Sequence, residues 1–206
     1  MKNAIKIFTY NETPIYIKYW FFILLLVISP IKVASLFIGV LIHELAHAIE
    51  AKKLGYKTDY IFIDVFYGGA LIDSKYQYNN LHAIKIAAAG PLSNIILSSI
   101  TFSIMLFTKQ YESLIFLNEY LSTFMTINFI LGFSNLLPIY PLDGGRISKG
   151  LLNIFSDNRT KARKINSMIS LFTTISLITV CSLYGYWILS LFCLTFLYTS
   201  YKEWVK

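Results

Sequence analysis

A chain of 206 residues with 56% apolar content, 14% charged residues and a net charge of +7 has a mean hydropathy of +0.58. Soluble domains carry about 25% charged residues, so this composition excludes a soluble globular protein and leaves no room for a sizeable soluble domain. The basic excess would suit nucleic acid, but the lysines and arginines lie between apolar runs, which is a pattern of membrane topology; no nucleic-acid partner is expected.

Six apolar runs, at about 15–30, 33–52, 82–107, 114–136, 166–183 and 185–201, approach the length of a bilayer span and predict an all-α polytopic membrane protein. The first run reaches Pro30 and Lys32 without a small-residue cleavage pattern, so it reads as a span and not as a cleaved signal. Pro30 marks the hairpin into the second run. That second run contains "VLIHELAHAIEA" (40–51), two histidines and two glutamates where water should be scarce. The segment "KTDYIFIDVFYGGALIDS" (57–74) follows. It is rich in β-branched and aromatic residues, alternates loosely and turns at Gly68–Gly69, which predicts a short membrane-associated β-hairpin or extended loop after the second helix. Such backbone is tolerated at membrane depth where it is buried in protein or lines a wet cavity.

His82 opens the third run and reads as interfacial. The fourth ends in "NLLPIYPLDGGR" (135–146), where Pro138 and Pro141 stop the helix and Gly144–Gly145 permit a tight turn. Cys181 and Cys193 fall in the last two runs and read as small buried hydrophobes, not as a disulfide. Neither a repeat nor a low-complexity linker is visible, so residues 1–206 are expected to form a single integral-membrane domain. In the six-span outline, all but Lys32 and Lys109 of the 18 lysines and arginines fall on one side. That bias predicts a multi-pass protein of the cell membrane with both termini cytoplasmic.

An ionisable residue at membrane depth costs about 2.5–3.5 kcal/mol on insertion scales, which makes the second run a functional candidate. His43 and His47 are four apart, so on a helix they share one face about one turn apart and can share a metal ion. Glu44 lies beside them, where a carboxylate reaches an attacking water without being a ligand. The alternative is a pair of histidines hydrogen-bonded within a helix bundle. Zinc in hydrolytic sites takes three protein ligands as a rule. Glu50 shares the histidine face, but it reads better as a partner of Lys52 or Lys53 at the cytoplasmic interface. Asp143, held between the prolines and the glycines, reads evenly as a third ligand or as an N-cap of the next helix.

Together "HELAH" (43–47), "AAAGPLSN" (87–94) and "NLLPIYPLDGG" (135–145) resemble, in order, spacing and membrane context, the site-2 protease family of intramembrane zinc metalloproteases. The likeness is greatest to the compact branch that contains the sporulation sigma-factor processing proteases. It implies that His43, His47 and Asp143 hold Zn2+ and that Glu44 is the general base and acid. It also puts Asn94 and Asn135 near the active site, where either would steady the oxyanion or hold substrate backbone. Interhelical hydrogen bonding is the alternative for both. Arg146 reads as an interface anchor. The substrate implied is a transmembrane helix of another protein in the lipid bilayer, cut in the cytoplasmic half. It would unwind locally and pair with the 57–74 segment, Gly68 and Gly69 included. A regulatory membrane partner or a homo-oligomer would gate access, and neither the PDZ nor the CBS domain of other members is expected. Two rivals remain: a metal-binding or transport protein, and an inactive relative that binds helices without cutting. Transport has no need of Glu44 within the histidine spacing, and an inactive relative would lack Glu44 or a ligand.

Overall fold

The computed structural model describes residues 3–64, 68–156 and 158–205. Alternation in Thr13–Lys18, with Ile15 and Ile17 buried and their neighbours half-buried, makes this segment a strand, β2. It pairs antiparallel with β1 (Ala4–Tyr10) across Asn11 and Glu12, both at positive φ. A 3-10 segment, Tyr19–Ile23, and a single helical turn, α1 (Leu24–Val27), complete the run. The expected first span over 15–30 is therefore not a helix. A hydropathy window weighs how apolar a run is, not its period, and the period here is two before it becomes helical.

Pro30 is the first residue of α2 (Pro30–Lys53), where its missing N–H costs no intrahelical bond. Gly55, at φ +84°, ends the helix, with Tyr56 N donating to Ala51 O at 2.9 Å. The chain then forms β3 (Thr58–Ile63) and β4 (Gly68–Ile72), the expected antiparallel hairpin. Its glycines sit differently from expectation. Gly68 pairs with Ile63 and Gly69 with Phe62, so both belong to a strand and not to a turn. Residues 65–67 of that predicted hairpin lie outside the described residues, as do Lys2 and Lys206 of the charge pattern.

The sheet has four strands in the order β1-β2-β3-β4. Its central pair is parallel, Ile15 opposite Ile61 and Ile17 opposite Ile63, and α2 lies within the crossover that a parallel pair requires. Ile15 and Ile61 pack on Ala48, while Ile17, Phe21 and Ile63 pack with Val33. The strands thus lie along α2, not beyond its end.

The chain divides into two compact units, Met1–Tyr76 with Ala89–Ser134, and Gln77–Ala88 with Asn135–Lys206. The first holds the sheet, α2, most of α3 (Asn80–Thr108) and nearly all of α4 (Ile115–Asn135). The second holds α5 (Asp143–Phe155), α6 (Arg159–Leu183) and α7 (Trp187–Val205). In it Asn158 caps α6, accepting from Thr160 N and Lys161 N, and Lys149 of α5 meets Glu203 of α7 at 2.8 Å. Cys181 and Cys193 are free and buried, as expected.

Three described helices, Pro30–Lys53, Asn80–Thr108 and Arg159–Leu183, are long and apolar enough to cross a membrane, where the sequence outlines six spans. Burial is inverted relative to a water-soluble protein. Asn94, Asn128, Asn166, Thr174 and Ser200 are wholly buried, while Leu26, Phe107, Phe116 and Ile188 are mostly exposed. Lipid supplies no drive to hide leucine, so polar residues hold helices together and large apolar ones face outward.

Candidate metal centre

Helical spacing brings His43 and His47 onto one side of α2, their rings 4.8 Å apart and nearly perpendicular. Both are buried, as is Glu44 between them. The space beside the two imidazoles exists because α3 presents Gly90 there. A Cβ on Gly90 would lie 2.7 Å from Nε2 of His43 and 2.6 Å from Cε1 of His47. A side chain would fill the room in front of the nitrogens, so the glycine keeps open a cradle fit for a metal ion. Ser93 Oγ donates to Gly90 O at 2.7 Å, one turn on.

His43 is also oriented from behind. Its Nδ1 lies 2.5 Å from Oδ1 of Asn94, four residues past Gly90 on α3. An amide oxygen only accepts, so Nδ1 carries the proton and Nε2 carries the lone pair a metal requires. The donor set therefore fits zinc: imidazole nitrogens suit it, and a second partner fixes the ring. In the sequence reading, Asn94 bears on the oxyanion or on substrate backbone. In the fold its oxygen is engaged with His43 instead.

Glu44 meets the sheet. Gly68, the first residue of β4, sits so close that a Cβ there would come within 2.7 Å of Glu44 Oε1 and of Val40 Cγ1. Gly69 similarly leaves room for the Phe62 ring. Both glycines thus admit neighbouring side chains and make no turn. Glu50 forms an ion pair with Lys53 at 3.5 Å, as expected of it.

Asp143 lies in the other unit, buried, as the first residue of α5. Leu142 is the N-cap, so Asp143 is not the capping residue. Its Oδ1 is 3.7 Å from Arg146 Nη1 one turn later, which gives Arg146 a carboxylate partner. The elbow before it is tightly folded. A Cβ on Gly144 would collide with the carbonyl oxygens of Leu136 and Leu137, and one on Gly145 would lie 2.6 Å from Ile139 O. Asn135 is the half-buried last residue of α4. His43 and His47 each have a ring nitrogen to offer an ion, and Asp143, in the second unit, has a carboxylate oxygen. Neither Gly90 nor Asn128, a second buried amide beside Asn94, stands out in the sequence as functional. Gly90 lies within the "AAAGPLSN" segment that carries the resemblance, at a Gly-Pro step inside an otherwise uninterrupted helix, whereas Asn128 lies in no motif.

The sequence model of Peptidase family M50 matches residues 31–120 and 109–179, most of the chain. Zinc metalloprotease MJ0392 of Methanocaldococcus jannaschii is 31% identical over 166 residues, covering 74% of this chain and 47% of that protein. Stage IV sporulation protein FB of Bacillus subtilis is 30% identical over 152 residues, covering 73% of this chain and again 47% of the relative. The chain thus spans about half the length of these curated relatives. Among solved structures, the site-2 protease from Methanocaldococcus jannaschii matches with a TM-score of 0.68 at 26% identity, covering 98% of this chain and 95% of that one. A family match of that extent, carried by the same fold, means that this chain belongs to Peptidase family M50, the site-2 protease family.

Proposed function

We propose that this protein is an intramembrane zinc metalloprotease that hydrolyses peptide bonds within or near transmembrane helices of other membrane proteins. The observation that carries the reading is the cradle at Gly90, bounded by His43 and His47 of a membrane-spanning helix with Glu44 buried beside them. In this reading residues 1–206 work as one protease domain.

His43, through Nε2, and His47 would hold the metal, and Asp143 would contribute a carboxylate oxygen as third ligand, a set typical of hydrolytic zinc. Zinc, when bound, supplies Lewis acidity and makes water nucleophilic at neutral pH. Glu44 takes the proton of the attacking water on its carboxylate and returns it to the leaving amine nitrogen. Arg146, 3.7 Å from Asp143, steadies that carboxylate. Asn135 is assigned to substrate backbone or oxyanion.

The substrate's peptide bonds are protected by helical hydrogen bonds and must be unwound to be reached. β4 is an edge strand whose first residue abuts Glu44, so an extended segment pairing with it arrives next to the base. The position of the sheet supports the same reading. An open strand edge alongside a membrane-spanning helix is tolerated only where protein or water satisfies its amides, and a wet cavity also admits the attacking water. The lysines and arginines of the 53–81 and 137–165 segments, a bias that does not depend on the 15–30 run, support a site in the cytoplasmic half.

The test is cleavage of a single-span substrate with a helix-weakening segment, by the wild type beside Glu44→Gln. Both should hold one zinc, and the variant should cut about 10²–10⁴-fold more slowly, the usual worth of a general base. A variant that cuts as fast as wild type would remove Glu44 from the mechanism. A wild type without zinc would remove the protease reading.

A further inference from the structure

The amide behind His43 is itself held on every side. Asn94 Nδ2 donates to Gly39 O on α2 at 3.0 Å and to Oδ1 of Asn128 on α4 at 2.8 Å. Asn128 Nδ2 in turn donates to Phe124 O at 2.9 Å. Both asparagines are wholly buried. The chain of bonds thus begins and ends on backbone carbonyls, which only accept. Neither amide can flip without setting oxygen against oxygen, so Asn94 has its carbonyl oxygen, and no other atom, to offer His43. Gly39 makes the arrangement sterically feasible: a Cβ there would stand 3.0 Å from Asn128 Oδ1 and 3.1 Å from Leu131 Cδ1.

We propose that Asn94 and Asn128 form a tautomer lock, a relay of two buried amides that fixes the proton of His43 on Nδ1 and so presets Nε2 as the metal-binding nitrogen before any metal arrives. This rests on the zinc reading for its purpose but not for its geometry. Imidazole in water exchanges its proton between nitrogens, and a ligand histidine must be caught in one form. In most metal sites a single carboxylate or carbonyl does this. Here the acceptor is a side-chain amide whose own orientation has to be set, and Asn128 sets it. Both are positioning residues: neither touches the metal nor the substrate. Three helices, α2, α3 and α4, contribute to the lock.

With three histidines in the chain, labelling histidine alone with nitrogen-15 gives a resolvable set of rings. The experiment is a long-range proton–nitrogen correlation on metal-stripped full-length protein in detergent, at alkaline pH where imidazoles are neutral. Zinc affinity is measured on the same samples by chelator competition. The His43 ring should carry its proton on Nδ1 in the wild type. In Asn94→Leu it should revert to a mixture or to Nε2–H, and zinc affinity should fall about 10–100-fold, the usual cost of losing a ligand's outer partner. Asn94→Asp keeps an oxygen facing His43 but sets its second oxygen against Gly39 O and Asn128 Oδ1, so it should restore the Nδ1–H form and the affinity only in part. Asn128→Leu should loosen the tautomer less than Asn94→Leu does. The His82 ring, outside the relay, should be unchanged throughout.

A wild-type His43 protonated on Nε2 overturns the proposal by itself, whether or not any variant folds. So does an Asn94→Leu protein that binds zinc as the wild type does. If the wild type shows the Nδ1–H form but binds no zinc, the lock stands as a structural fact and the metalloprotease reading fails.

Discussion

At the scale of single residues, the site depends on atoms that are missing as much as on those present. Gly90 is the clearest case, because its hydrogen faces the two imidazoles that a methyl group would crowd. Gly90→Ala should leave a folded protein, destabilised by about 1–3 kcal/mol as overpacked cores are, that has lost most of its zinc. Metal content against the thermal melting point would separate those two effects, and a fully loaded Gly90→Ala protein would show that the cradle is not where the ion sits. The histidine pair was legible in the sequence because its geometry is local: four residues on a helix fix a shared face whatever surrounds them. The role of Asn94 was not. Its partner His43 lies 51 positions away, and no periodicity in either helix records which amide atom points where.

At the scale of elements, the sheet is where sequence and structure diverge. The hairpin β3–β4 was readable from its β-branched and aromatic run. β2 was concealed inside an apolar stretch of the right length for a span, although "TPIYIK" already alternates buried and half-buried positions. Length and hydropathy outweigh a short period-two signal, and β1, with all but its first residue exposed, lies outside every apolar run long enough to be noticed. Paired glycines commonly make a turn, and nothing in the sequence separates Gly68–Gly69 from a pair that does. Here the reason is contact: Gly68 lets β4 lie flat against Glu44. Gly68→Ala should therefore displace the carboxylate and lower cleavage on the order of 100-fold, as small misplacements in active sites do, with zinc content unchanged. Unimpaired cleavage in that variant would separate β4 from the reacting centre.

At the scale of the whole molecule, the inverted distribution of polar and apolar residues and the three long apolar helices make a membrane protein of this chain. The charge bias along the sequence predicts that both termini are cytoplasmic. Single cysteines placed near either terminus should react with a membrane-impermeant maleimide only after the inner face is opened, and the two native cysteines, both buried, should give little background. Labelling of either terminus from outside intact cells would reverse the assigned topology.

The parallel pairing of β2 with β3 also bears on how the protein is made. Residue 15 leaves the ribosome well before residue 61, its partner across the sheet, and a membrane-spanning helix is synthesised in between. During that interval β2 is paired on one side only, with β1, and it must stay within reach of the emerging segment 58–63 until the second pairing can occur. The last strand contact of the N-terminal region is thus an event of biogenesis, set by the order of translation and insertion. A bulky fusion ahead of residue 4 therefore burdens this delayed docking step.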